Sequence, residues 1–407
     1  MARHIWVLAA AASLMSVAAG PAMAQAASSP INIGFLNTMS GPLAEVGNDT
    51  LAGAKIAVSQ INAQGGVLGH PLRLVVKDEQ VSPTVTVQDV RQYGSSGVKF
   101  ITGFTSSADC LAAVPVAEQN NMVIVSSACS DDSVETTGFN PRLFTVASNT
   151  VQMARAAAHY VVEHYRNVKV WDNMSYDYST GHHFWSDFQT QLKKLEPGVK
   201  FGASVFVPLT ATQMSSYITA VLSSVPANSQ KSYGLFMGMF GSGTIDTAQQ
   251  GMPYGLFKHY ALVLNVSGSE PTSRALGPSG PRIFYVQDYF YKAFHTPSNA
   301  HLVSAYEKHN PTGPDLWVEQ GYASIQTIAQ AIKAARTTSP GAVIKALTTT
   351  KFDLPKGTSF IRPQDHVMIS PETVWSCQGD KQASIGYSCT SWTVESSKAV
   401  APPVYNH

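Results

Sequence analysis

Hydroxyl-bearing residues gather where three short apolar runs end. Ser40-Gly41-Pro42-Leu43-Ala44 follows the run Ile31–Asn37, Thr105-Ser106-Ser107 follows 99–104, and Ser126-Ser127-Ala128-Cys129-Ser130 closes the run that starts at Met122. Loops of this kind, opening helices, leave hydroxyls and backbone N–H groups at a positive helix end, a chemistry suited to a carboxylate or another small anion. A single loop is ordinary N-capping. Three on one edge of a sheet are expected to form a site, with Leu43, Ala44, Ser106, Ser107, Ser127, Ala128 and Ser130 as its candidate ligand-binding residues. Farther along, Tyr176 and Tyr178 in MSYDYSTG, Phe240 in MGMFGSG and Ser267 after the run 262–266 stand in matching places. Aromatic walls over a polar floor suit a small organic ligand.

No set of groups for turnover accompanies them. The chain has no GxSxG, HExxH or Walker sequence. Gly238-x-x-Gly241-x-Gly243 is not the dinucleotide fingerprint and reads as a strand–helix turn. His182-His183 reads as a surface or helix-start pair, His159 with Glu163 as an exposed helical pair, and Asp131-Asp132 as helix caps. The expectation is a binding protein rather than an enzyme, with no metal and no cofactor.

The elements that must carry these loops alternate. Strand-like runs at Ile31–Asn37, 72–77, 99–104 and 122–126 are separated by helical stretches. In the first helix Leu51, Ala54, Val58 and Ile61 form one apolar stripe, which Gly65-Gly66 ends. The rhythm restarts with a helix over 151–165. Strands follow at 168–171, 203–207, 233–237 and 260–266, with helices at 183–195 and near 213–225 and 244–250. A long helix is expected over 322–335, and an antiparallel pair at 373–376 and 387–394. Continuous apolar strands alternating with helices predict an α/β fold built on doubly wound parallel sheets. In such a sheet the three hydroxyl loops share the edge where ligands bind.

Composition narrows the class. The 407 residues carry 27 Lys and Arg against 26 Asp and Glu, so charged residues make up 13% of the chain, about half the usual ~25%. Apolar content of 44% excludes intrinsic disorder. The balance of charge excludes a general nucleic-acid binder, which needs a basic field. Residues 1–24 read as a signal peptide: Arg3, a short apolar stretch, then Ala22-Met23-Ala24. That stretch is shorter than the ~20 residues a bilayer requires, so no membrane insertion is expected. Export places the protein in an oxidising compartment, the periplasm in a Gram-negative source. Cys110, Cys129, Cys377 and Cys389 then serve as disulfides. Three pairings are open, and proximity in sequence favours Cys110–Cys129 and Cys377–Cys389.

The run SGPLAEVGNDTLAGAKIAVSQINAQGGVLGHPLRLVVKDEQ resembles the opening of the leucine/isoleucine/valine-binding family of periplasmic solute-binding proteins. Its marks are Ser40-Gly41-Pro42, Gly53-Ala54, Ile61-Asn62-x-x-Gly65-Gly66, Gly69 and Asp78. The Gly103 loop, Tyr178 before Thr-Gly, and LWVEQGYASIQTIAQAI are looser matches, and the resemblance spans nearly the whole mature chain. It implies a type I periplasmic binding protein: two Rossmann-like lobes joined by a three-strand hinge, closing on a ligand that passes to an ABC transporter permease. On that basis the first lobe is expected at 28–147 with 288–352, the second at 148–287 with 353–407, and the protein as a monomer. The resemblance puts Ser107, Ala128 and Ser130 on a ligand carboxylate, and Tyr178 and Phe240 on the opposing wall. One departure bears on the ligand. Amino-acid binders of the family carry an acid after the late strand of the second lobe, and here none occurs between Leu262 and Glu270. A small carboxylate or amide is therefore expected, aromatic ones included, as in other branches that share the texture of GTSFIRPQDHVMISP. An amino-acid carrier and a ligand-sensing domain are the alternatives.

Overall fold

A computed structural model describes Met1, residues 28–266, Gly268 and residues 270–407. Apart from Met1, the leader expected at 1–24 lies outside the described residues, as does Ser267.

The first lobe begins with β1 (Ile31–Asn37), α1 (Ala44–Ala63), β2 (Leu72–Asp78), α2 (Pro83–Ser95), β3 (Phe100–Gly103), α3 (Ser107–Gln119), β4 (Val123–Ser126) and β5 (Leu143–Thr145). Its five strands are parallel in the order β2-β1-β3-β4-β5. The chain then crosses into the second lobe: α4 (Thr150–His164), β6 (Val170–Tyr176), α5 (Ser179–Leu195), β7 (Lys200–Val207), α6 (Ser215–Leu222), β8 (Tyr233–Gly238), α7 (Ser242–Gly251), β9 (Leu262–Val266), α8 (Glu270–Leu276) and β10 (Ile283–Gln287). The order β7-β6-β8-β9-β10 repeats that of the first sheet, again all parallel.

The chain returns with α9 (Pro297–Tyr306), α10 (Leu316–Ala335) and α11 (Pro340–Thr349), followed by a small antiparallel sheet of β11 (Lys351–Leu354), β12 (Gly357–Ile361) and β13 (Met368–Ile369) packed on those helices. It crosses a third time into β14 (Glu372–Gly379), β15 (Tyr387–Glu395) and α12 (Ser397–Val400). β14 extends the second sheet antiparallel to β10, β15 pairs antiparallel with β14, and Cys377 faces Cys389 across these two strands.

The return of α10 to the first lobe depends on two glycines. A Cβ on Gly53 of α1 would stand 1.8 Å from the Val318 carbonyl oxygen, and one on Gly321 of α10 would stand 1.9 Å from that of Thr50. The two helices pack backbone against backbone, which places the start of α10 over the first lobe's strand ends.

Two boundaries depart from the sequence reading for identifiable reasons. β6 runs on to Tyr176 rather than stopping near Trp171, although Asp172, Asn173 and Ser175 interrupt its apolar run. Asp172 is satisfied inside the lobe: it accepts from the Ala203 amide at 2.8 Å and from the hydroxyls of Ser224 and Tyr260 at 2.5 and 2.9 Å. α10 starts at Leu316 rather than near 322, because the Asp315 carboxylate caps it, accepting from Val318 N at 3.1 Å. Both disulfides join the pairs favoured by sequence proximity, Cys110–Cys129 and Cys377–Cys389. No described helix is long and apolar enough to cross a membrane.

Candidate functional site

The carboxyl ends of parallel strands from both lobes face one another and enclose a cavity of about 310 Å³ with a small adjoining chamber of about 20 Å³. The loops after β1, β2, β3 and β4 line the first side, through Leu43, Val81, Ser106–Ser107 and Asp131. The loops after β6, β7 and β8 line the other, through Tyr178–Thr180, Leu209 and Phe240. Two sheets of the same strand order thus present the same edge to one space, the position at which open α/β sheets bind ligands.

Of the residues expected from sequence, Leu43, Ser106, Ser107, Ala128, Ser130, Tyr178 and Phe240 come together here. Ala44 and Ser127 do not line the space. The Ser127 hydroxyl is buried and donates to the Gly103 carbonyl at 2.9 Å. Tyr176 is a core residue, its hydroxyl donating to the Phe240 carbonyl at 3.1 Å and so setting the turn that presents Phe240. Ser106 also caps α3, accepting from Asp109 N at 3.2 Å and donating to the Asp109 carboxyl at 2.6 Å. The Ser107 oxygen accepts from Asp131 N at 3.0 Å, which leaves its own proton free to donate. The N-terminus of α3 lies against the cavity floor. Cys110 in its first turn is bonded to Cys129 in the next strand-end loop, tying the two loops together.

Asp131, Thr180, Leu209 and Trp317 are lining residues that the sequence reading missed. Trp317, at the start of α10, lies with its ring centroid 6.3 Å from that of Phe240, so aromatic side chains of the two lobes meet at the chamber. The Asp315 cap was the signal for it, marking a helix start close to the site.

Asp131 is the one charged residue on the described lining of the cavity. It is 1% exposed. Ser133 N donates to its Oδ1 at 2.9 Å, closing the turn at 132–134 as a cap. The other contacts reach across the cleft to the first turns of α5. Ser179 and Thr180 hydroxyls donate to Oδ2 at 2.8 and 3.1 Å, and His183 Nδ1 stands 3.0 Å from Oδ1. The carboxylate of one lobe is therefore held by side chains of the first turns of the other lobe's helix, where the dipole favours negative charge. Burial by itself would raise the pKa of Asp131, but hydrogen bonds from Ser133 and Ser179 and the facing His183 outweigh it and hold the carboxyl below its ordinary range. Burial by itself would lower His183, but Asp131 first, then Asp132 and Asp187, raise it above the usual imidazole value.

The pair His182-His183 thus has partners that sequence spacing did not disclose. His183 meets Asp131 and Asp132, with ligand-capable atoms of all three within 4.8 Å of one another, and His182 meets Asp177 at 2.9 Å. His159 lies 3.7 Å from Glu395, a partner more distant in sequence than the Glu163 expected. After β9 the first acid is Glu270, and it is held by the Tyr387 hydroxyl at 2.7 Å, away from the cavity.

A family model described as periplasmic binding protein matches residues 30–382. A leucine-, isoleucine-, valine-, threonine- and alanine-binding protein of Pseudomonas aeruginosa is 24% identical over 345 residues, 83% of this chain and 87% of that protein. Among solved structures, a solute-binding protein of an ABC transporter from R. palustris, in complex with benzoate, aligns with a TM-score of 0.79 at 16% identity, covering 93% of this chain and 99% of that one. A leucine-binding protein of Thermotoga maritima aligns with a TM-score of 0.74 at 18% identity, covering 90% and 99%.

Proposed function

We propose, since this chain belongs to the periplasmic binding protein family, that its cleft takes up a small organic carboxylate or amide with an aromatic or other flat apolar body. The protein is a solute-binding component of an ABC importer and not an enzyme. The observation that carries the ligand class is the character of the lining. It brings the N-terminus of α3, with Ser107 and Ser130, together with Tyr178, Phe240 and Trp317, and its described residues leave no carboxylate free to pair an ammonium. A buried ammonium without such a partner is costly. A buried anion at a helix N-terminus beside hydroxyl donors is not.

Ser107, Ala128 and Ser130 hold the polar end of the ligand in this reading, and Tyr178 and Phe240 close on its body. Residues 1–24 are removed on export, and the mature protein acts as a periplasmic monomer that hands its ligand to a membrane permease. The first lobe comprises 28–147 and a return segment whose end we set near Ile369 rather than 352, because β11–β13 pack on α9, α10 and α11. The second lobe comprises 148–287 and the remainder.

An amino-acid ligand is the second reading. Asp131 lines the cavity, and the P. aeruginosa relative binds leucine, isoleucine, valine, threonine and alanine. Thermal denaturation with benzoate, 4-hydroxybenzoate, benzamide, leucine and valine separates the two. Stabilisation by the aromatic acids or the amide supports the first reading. Stabilisation by leucine or valine, with none from the aromatic compounds, overturns it.

A further inference from the structure

The three connections between the lobes converge on a buried charged cluster that the cleft does not use. Ser148 stands in the first connection and Asp288 opens the second, while Glu372 begins β14 directly after the third. Glu319 of α10 and Lys356 of the turn between β11 and β12 complete the cluster, and none of the five is more than 5% exposed. Lys356 Nζ and Gln320 Nε2 each donate to Asp288 Oδ2 at 3.1 Å, and the Ser148 hydroxyl donates to Glu372 Oε1.

One ammonium therefore faces three carboxyl groups in a space closed to water. Fully ionised, the cluster would carry an excess of negative charge at a depth where unpaired charge is expensive. Its hydrogen bonding is unbalanced in the same direction. Asp288 Oδ1, Glu319 Oε1, Gln320 Oε1 and Glu372 Oε2 are buried acceptors without partners, against two unpaired donor groups on the connections, Gln287 Nε2 and the Ser370 hydroxyl. The cluster lacks donors, and Lys356 already occupies the place of a cation.

We propose that this cluster is a proton-binding site of the hinge, in which Glu319 and Glu372 hold protons while the lobes are closed and release them as the lobes open. A proton on either carboxyl removes a charge and supplies one of the missing donors. Burial pushes both up to about 8; Asp288 adds to the effect and Lys356 opposes it. Burial alone would favour a neutral Lys356, but the Asp288 carboxylate, which accepts from it at 3.1 Å, holds it charged. Among the described residues, the Tyr289 phenol stands beside Glu319, and Glu395 of β15 pairs in register with Glu372. Because the cluster draws on all three connections, relative rotation of the lobes moves its members apart and admits water, which returns the carboxyls toward their ordinary range. The closed form then binds more protons than the open form, so rising pH favours opening. This rests on the two-lobed fold and not on the identity of the ligand.

Infrared difference spectra and X-ray scattering of the ligand-free protein test it. At about pH 6.5 the wild type minus E372Q, and the wild type minus E319Q, should each show the carbonyl stretch of a protonated carboxylic acid, titrating away near pH 8. E319Q carries this reading alone if E372Q fails to fold. Between about pH 6.5 and about pH 9.5 the radius of gyration of the wild type should rise, while that of E319Q/E372Q, fixed in the neutral form, stays constant. Absence of the band from both difference spectra, a wild-type radius that does not respond to pH, or an equal expansion of the double variant would overturn the proposal.

Discussion

Asp131 and His183 lie 3.0 Å apart across the cleft, the carboxylate from the loop after β4 and the imidazole from the helix that Tyr178 opens. The contact joins the two lobes beside the ligand space, on a helix whose N-cap is itself a wall of that space. Tyr178 is thereby anchored where the two lobes meet.

Asp131→Asn should destabilise the closed protein by about 1–3 kcal/mol, the range for disrupting a buried charged hydrogen-bonded group. The pH dependence follows from the two shifts. His183 is raised, so its contribution is full below the ordinary imidazole value of 6.5 and is lost as pH rises through the raised value. Asp131 is lowered, so its contribution is present above 3.8 and is lost as pH falls through the depressed value. The difference in melting temperature between wild type and His183→Gln should be largest in the window between the two and shrink in alkali. A difference that grows with rising pH would contradict the ion pair.

Phe240→Ala and Trp317→Ala should each weaken binding of a ligand identified by the thermal panel by roughly tenfold or more, since each removes aromatic area worth ~1–3 kcal/mol from the chamber where the lobes meet. Titration calorimetry reads the effect. Ala44→Ser, outside the lining, should leave the affinity unchanged.

Gly53→Ala should lower stability by about 1–3 kcal/mol or more, as overpacking in a tight contact does. The added methyl meets the Val318 carbonyl, and separation of α1 from α10 would carry Trp317 with it. Chemical denaturation measures the loss. A neutral result would mean that the two helices can part freely.

Replacing Cys110 and Cys129 together by Ser should cost about 3 kcal/mol, from a loop of 19 residues in the chain-entropy relation. Because both cysteines are fully buried, the bond should resist mild reductant until the protein unfolds. Thiol labelling before and after denaturation distinguishes a buried bridge from an accessible one.

Much of the site was legible because it is built from strand ends. Ser107, Ala128 and Ser130 announce themselves as hydroxyl-rich turns after short apolar runs, and Tyr178 and Phe240 occupy the same place in a second unit of the same rhythm. Strand ends of one parallel sheet share an edge, so local pattern becomes spatial grouping. β10 was not legible in this way: its run 283–287 follows the Pro- and Gly-rich stretch 277–282 and continues into the aromatic stretch 289–294, which together mask the alternation. β6 was cut short because its buried polar residues are satisfied by Ala203, Ser224 and Tyr260, all distant in sequence.

The amino-acid sequence by itself determined the alternation of strands and helices, the low charge, and the hydroxyl loops that had to fall on one edge. These depend on periodicity and short-range chemistry, which a chain expresses without reference to its distant parts. Only the tertiary structure decided which cysteines pair, that Asp131 bonds to side chains of α5 in the other lobe, that Trp317 meets Phe240, and that Asp288, Glu319, Lys356 and Glu372 share one buried cluster. Each joins segments separated by 12 residues or more, and the stability of a buried charge or an interlobe contact depends on the partners that folding brings to it.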